Sequence, residues 1–585
     1  MSPTPRGRRT RNAAPPTDEQ LVAWFEAGEL LERIVRYFDL ADYSQFRDVG
    51  RRAGAMAGNQ KLDLLSLIEN GDVGAVGGHD FFNVQQFFNE AIPSLDVPVP
   101  RMLAAVDQLV KLGGEDLAAN QPNGALREWL RKDLARAEAV IFAANADDSQ
   151  AKAQLVFALE AIGDPHRVRP FLERDDPLLR ASALSALARM ADPDLDSRTA
   201  SVVAIGQALG AGENDMLCAN GVEALMSVAS PEPPVENDLV LTSLNAALSG
   251  RGDGTLNRAA HVLWAHAAAT RPEVATALLQ ALLDLNPEHK GTTNELDMGL
   301  KAVIDAGQGD AALQFLADLL VKNQGTLKAT AFNSVWDAIL SGPSERLSAW
   351  IVSWLLAAKP ALGFALTEVL RCQERDEAAL AVDRPGLPKT PVELGYLARK
   401  AVGWFMLQPH LATGLLVAIL GVCDQVTARN VAGLLAYPML RNYPEMRETL
   451  ADLPKDDPAK PWVNAALGEN ERYLNALKAM PAIPELTPSD QHRRIQHLHH
   501  VDQMQAAHKA ARAQSVFFNL VRHSTLLYGT RSLSYVEDLD GGPRRPMEME
   551  LGTHSVTMTL PRLDMLDPIG LQLMLVRFRG EARPQ

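Results

Sequence analysis

Residues 163–190 read GDPHRVRPFLERDDPLLRASALSALARM, and the placing of their acids, prolines and small apolar residues marks two short helices. Asp175-Asp176-Pro177 joins them, and proline at a first helical position behind an acidic cap is a helix-start signal. The second run sets Leu179, Ala183, Ala186, Leu187 and Met190 on one helical face. That face is too narrow to make a core alone. Thirty-eight residues on, the same positions hold Leu217, Gly221, Ala224, Leu225 and Val228. A second step gives Ala259, Val262 and Leu263, while the outer positions lapse to Thr255 and His266. Turn signals separate the units at Asp192-Pro193, Gly210-Ala-Gly212 and Gly250-Arg-Gly-Asp-Gly254. Less regular helix pairs follow at 272–306, 309–340 and 344–373.

Pro177-Leu-Leu-Arg180, with Ala183, Ala186 and Leu187 behind it, resembles the second helix of a HEAT-type repeat, and the spacing suits that family. The resemblance implies an α-solenoid over about 150–375, in which each hairpin buries its apolar face on its neighbours. It names no ligand. Arg180 is followed at the equivalent positions by Cys218 and Leu256, so the likeness is one of fold.

The chain outside this array divides by composition. Residues 1–18 read as a disordered basic tail, 19–146 as a helical N-terminal region and 147–373 as the HEAT-like repeats. Charge and proline interrupt at 374–392, helical pattern resumes over 393–479, and proline-rich linkers lie at 452–461 and 480–489. In 490–585 a polar helix over 490–527 precedes alternating runs at Arg531–Val536, Pro546–Leu551 and His554–Leu560, with a turn at Asp540-Gly541-Gly542. A last helix starts near Pro568. The expected fold is therefore mainly α, a HEAT-like α-solenoid carrying a small C-terminal α+β module.

Forty-seven per cent apolar and 22% charged residues make an ordinary folded composition. The net charge of −15 is unevenly spread: +4 over 1–12, +5 over 491–531 and −2 over 532–585, which leaves −22 on 13–490. Such a body repels nucleic acid, so any phosphate contact is confined to the basic segments. Cys218, Cys372 and Cys423 are odd in number and far apart, which points to a reducing compartment and a cytoplasmic location. The most apolar run, Leu411–Cys423 (LATGLLVAILGVC), is 13 residues long. A bilayer needs about 20, so a buried helix and no membrane span are expected.

Chemistry was sought in three places. Six of the 13 histidines, His492, His497, His499, His500, His508 and His523, fall in one stretch. His497 and His500 have helical metal-ligand spacing, but no cysteine or well-placed acid completes a set. The same stretch is a basic patch whose candidate contacts to an acidic partner or to nucleic acid are Arg493, Arg494, His497, His500, Lys509 and Arg512. Ile495, Leu498, Val501, Met504 and Ala511 are read as an apolar stripe beside them. The carboxylate pairs Asp192/Asp194/Asp196, Asp538/Asp540 and Glu548/Glu550 read as caps and strand faces.

No P-loop, dinucleotide fingerprint, zinc-protease, nucleophile-elbow or kinase motif occurs, and no catalytic residue, metal or cofactor is assigned. The expected function is a non-enzymatic scaffold or adaptor binding a protein partner. Its Ala-, Leu- and Arg-rich composition looks bacterial, which suits a multi-protein system such as an anti-phage defence operon. Two alternatives stand beside it: a nucleic-acid-associated factor acting through 491–531, and an enzyme with a divergent site in the C-terminal module or around Gly71–Asp80.

Overall fold

A computed structural model describes residues 14–584 apart from 60, 115–119, 211–213, 251, 373–383, 482, 484–487, 515–520, 527–530, 537–544 and 551–561. The expected tail, the Asp540-Gly541-Gly542 turn and the run His554–Leu560 lie wholly or mostly outside the described residues. The chain forms two compact units, 1–350 with 364–373 and 351–363 with 374–585.

Helices of the first unit stack in sequence. α1 (Tyr43–Gly58), α2 (Gly78–Ala91), α3 (Gln121–Lys132) and α4 (Ser149–Ile162) each pack on the next. The repeats then follow: α5 (Pro177–Arg189) and α6 (Leu195–Ala208), α7 (Asp215–Ala229) and α8 (Asn237–Leu248), α9 (Asp253–Ala265) and α10 (Pro272–Leu282). α11 (Lys290–Asp305), α12 (Gly309–Lys322) and α13 (Asn333–Leu340) complete the series. Odd-numbered helices α5 to α13 form one layer, each against the next odd helix, and α6, α8, α10 and α12 form a second. The result is a helical repeat stack. The odd layer continues back through α4 to α1, so the N-terminal helices belong to the same stack.

The sequence explains these contacts. Asp148, Asp176, Asp194 and Asn214 cap the helices that follow them, and Asp194 takes the Ser197 amide at 3.1 Å. Alanines on the odd faces let backbones approach closely: Ala183, Ala186, Ala259 and Ala260 are fully buried. At Gly299 a Cβ would stand 2.9 Å from the Leu263 Cβ and 3.0 Å from the Ala260 carbonyl oxygen, so α9 and α11 require glycine there.

At two steps a repeat also caps its successor. Asp215 Oδ2 accepts the Gly254 amide at 2.7 Å, and its Oδ1 accepts the Thr255 amide at 2.8 Å and hydroxyl at 2.6 Å. Asp297 does the same for α13, accepting the amides of Ser334 and Val335 at 3.0 Å each. Thr255, where the apolar pattern lapses, is fully buried because it belongs to this cap.

In the second unit, α14 (Pro391–Phe405) packs on the following helices Pro409–Leu420 and Gln425–Leu434. The apolar run 411–423 is mostly the 12-residue helix Pro409–Leu420, with Leu415, Leu416 and Ile419 buried. No helix among the described residues is long and apolar enough to cross a membrane. The polar helix ends earlier than expected, as α15 (Asp490–Gln514), and 521–526 is strand rather than helix. Strands β1 (Val521–Leu526), β2 (Arg531–Val536) and β3 (Arg545–Glu550) pair antiparallel in that order. Leu533 lies opposite Glu548.

The expected self-contained α+β module at 490–585 is not what these residues build. The closing helix α16 (Pro568–Gly580) packs against α14, because its buried Leu571 and Leu575 have an apolar partner there.

Asp215→Ala and Asp297→Ala are each expected to lower unfolding free energy by about 1–2 kcal/mol in urea titration. Burial alone would push the Asp215 carboxyl up, but the Thr255 hydroxyl and the amides of Thr255, Gly254 and Gly252 outweigh it and hold the group below its usual 3.8. A carboxylate held low stabilises the fold above its unfolded pKa and loses that contribution as pH falls through the folded value. The wild-type advantage over Asp215→Ala should therefore be full near neutrality and shrink below about pH 4.

Candidate interaction surfaces

The basic stretch lies on α15, where every described residue from 490 to 513 is exposed except half-buried Val501. Helical geometry turns each residue about 100° from the last. Arg493, His497, His500, Met504 and His508 therefore succeed one another along one row, and Arg494 and Arg512 lie on the adjoining row with Val501. Lys509 flanks the second row, so all six candidates share one half of the cylinder. The expected stripe is corrected by the same geometry. Ile495, Leu498, Val501 and Met504 are three apart, so each lags the last by about 60° and the set winds across the helix.

Arg493 pairs with Asp490, one turn away. No group of three or more His, Cys, Asp or Glu able to hold a metal ion occurs among the described residues. The side chain of His523, in β1, lies outside the described residues. Around Gly71–Asp80 only Val73 is buried, with Val76 half-buried, so that stretch offers no enclosed polar site.

Sequence reasoning missed a second surface, on the outward side of the odd layer. Glu223 of α7 accepts from Arg258 of α9 at 3.2 Å and stands 3.4 Å from His266 Nε2. The His266 hydrogen bond, helped by Arg258, holds the Glu223 carboxyl below its usual range against the upward push of burial. One repeat on, Glu295 Oε2 accepts the Trp264 indole N–H at 2.6 Å and lies 3.1 Å from His261 Nδ1. His261 and Trp264 meet edge to face at 4.9 Å. The Ser334 hydroxyl reaches the Met298 sulfur at 3.6 Å, extending the row to α13. Trp264 is 38% exposed and Met298 46%. A half-exposed tryptophan held by a carboxylate, with methionine and arginine beside it, has the composition of a protein-contact hot spot. Its signal in the sequence was the lapse of the apolar pattern at His266.

The third polar cluster is a clasp. Lys400 sits in the apolar run of α14 and is 1% exposed. Its Nζ donates to the carbonyl oxygens of Arg579 and Glu581, both at 2.7 Å. Arg399 holds the Glu581 carboxylate bidentately at 2.8 and 2.7 Å, Arg583 pairs with Glu393, and Arg579 Nε reaches the Gly403 carbonyl at 2.6 Å. Burial pushes the Lys400 ammonium below its usual pKa and the Tyr396 phenol above. A buried lysine of lowered pKa can signal catalysis. Here two carbonyls at the C-terminus of α16 occupy it, so it acts as a helix cap.

No family model matches the chain, and no curated protein does. Among solved structures, a "circular tandem repeat protein with novel repeat topology and enhanced subunit contact surfaces" matches over 79% of this chain and 96% of its own length. Identity is 12% and the TM-score 0.18.

Lys400→Ala strands two carbonyls, which costs about 1–3 kcal/mol if they stay buried. Amide exchange is expected to accelerate over 571–583 while 409–420 is unchanged, as read by mass spectrometry.

Proposed function

We propose that this chain is a non-enzymatic α-solenoid scaffold or adaptor that binds a protein partner. The observation that carries the reading is the row from Glu223 through Arg258, His261, Trp264 and Glu295 to Met298. It runs across three successive helices of one layer and leaves aromatic and thioether surface open to solvent. Stacked repeats present such rows as extended sites for a peptide or a protein face. The exposed basic half of α15 is a second docking element, suited to an acidic partner. A HEAT-type ancestry, a bacterial multi-protein setting such as an anti-phage defence system, and a cytoplasmic location belong to the same proposal. Burial raises the Cys423 thiol pKa and Cys218 is fully enclosed, both compatible with a reducing compartment.

Affinity purification from the native host, with and without nuclease, tests this reading when paired with variants. A stoichiometric protein that survives nuclease and is lost on Trp264→Ala, a change worth about 2 kcal/mol or more at a hot spot, would support it. A partner retained by Trp264→Ala and Met298→Ala would overturn the role of this row.

The six basic and histidine side chains on one exposed half-cylinder favour one alternative, contact with nucleic acid. That reading predicts affinity that falls steeply with salt and is abolished by combined Arg493→Glu, Arg494→Glu and Arg512→Glu. Recovery of a protein partner unaffected by nuclease and by these three changes would exclude it.

A further inference from the structure

Helix α16 is held from below and bare above. Leu571 and Leu575 are each 4% exposed on the side facing α14, and the Lys400 clasp fixes its C-terminal end. On its other side Ile569, Leu573 and Val576 are 72%, 66% and 60% exposed. They lie at i, i+4 and i+7, a straight apolar row, and exposed Met565 and Leu566 adjoin its start. A row of this kind on a rigidly held helix marks an interaction site.

We propose that this row is the seam of an antiparallel pair with a second copy of this chain. Two features of the helix select that occupant. The row is nearly symmetric: reversing the helix about Leu573 sets Leu573 beside Leu573 of the second copy and brings Ile569 within one residue, about 1.5 Å of helix rise, of Val576. A two-fold interface needs such self-complementarity. The charges are polarised in the matching sense. Asp567 stands exposed at the N-terminal end of the row and Arg577 exposed at its C-terminal end, while Asp564 is paired with Arg562 of its own chain. Antiparallel pairing brings Arg577 of each copy towards Asp567 of the other, whereas parallel pairing would set like charges together. The other exposed helix, α15, is a poorer match, since its straight row is Arg493, His497, His500, Met504 and His508. A few side chains on a 13-residue helix bury less than the roughly 800 Å² per partner of a standard interface. The association is therefore weak, in the micromolar range or above.

Sedimentation velocity on the full chain, from about 1 to 100 µM, should show the mean mass rising from 63.5 kDa towards twice that value. Leu573→Asp sets two carboxylates together at the axis and should weaken association at least about tenfold with an unchanged melting temperature. Leu573→Ser provides the same comparison should the aspartate variant misfold. Under mild oxidant, Ile569→Cys mixed with Val576→Cys should form a disulfide-linked pair, and neither should link to itself beyond the unmutated background. A single monomeric species at every concentration would overturn the proposal. So would a dimer indifferent to Leu573, or self-linking of Ile569→Cys without the mixed product.

Discussion

Two steps of the repeat stack are fixed by the same interaction, a carboxylate of one repeat closing the open N-terminus of a helix in the next. Asp215 and Asp297 each accept two backbone amides from the following odd helix, 37 to 40 residues on. A helix start carries unpaired N–H groups and a partial positive charge. A carboxylate buried between helices is tolerable only with such donors. Each needs the other, so polar geometry sets the step from α7 to α9 and from α11 to α13, and the alanine- and leucine-rich faces fill the space between. Gly299 shows how close that spacing is, because a single methyl group would not fit.

The same economy governs the irregular parts. Arg198 is 1% exposed, yet its guanidinium donates to the carbonyls of Pro231 at 2.8 Å and Pro233 at 2.6 Å. It thereby holds a loop whose prolines lack donors of their own. Lys400 performs the equivalent task for α16. Such buried side chains are tolerated because carbonyl oxygens replace their water.

The exposed surfaces divide by chemistry. The odd-layer row combines aromatic area with paired charge, α15 is basic and almost wholly solvated, and the outer side of α16 is apolar. Three surfaces of such different character suit three different kinds of contact.

From the sequence alone one could read the helical class, the repeat step of 38 residues over 177–266 and the caps at Asp176 and Asp194. These are local: helix periodicity, proline at a first position and an acid before it act within a few residues. That Arg493, Arg494, His497, His500, Lys509 and Arg512 lie on a polar helix was legible too, while the apolar stripe expected beside them was not built. What tertiary structure alone decided lies between residues distant in the chain. Thr255 looked like a lapse until Asp215 met it across 40 residues. Lys400, beside Arg399 in a largely apolar helix, had no visible partner until the carbonyls of residues 579 and 581 reached it. The module expected at 490–585 lost its last helix to α14, since Leu571 and Leu575 find their buried surface there. Residues 521–526 went from helix to strand, an outcome that depends on pairing with β2, and pairing is a property of two segments that neither encodes alone.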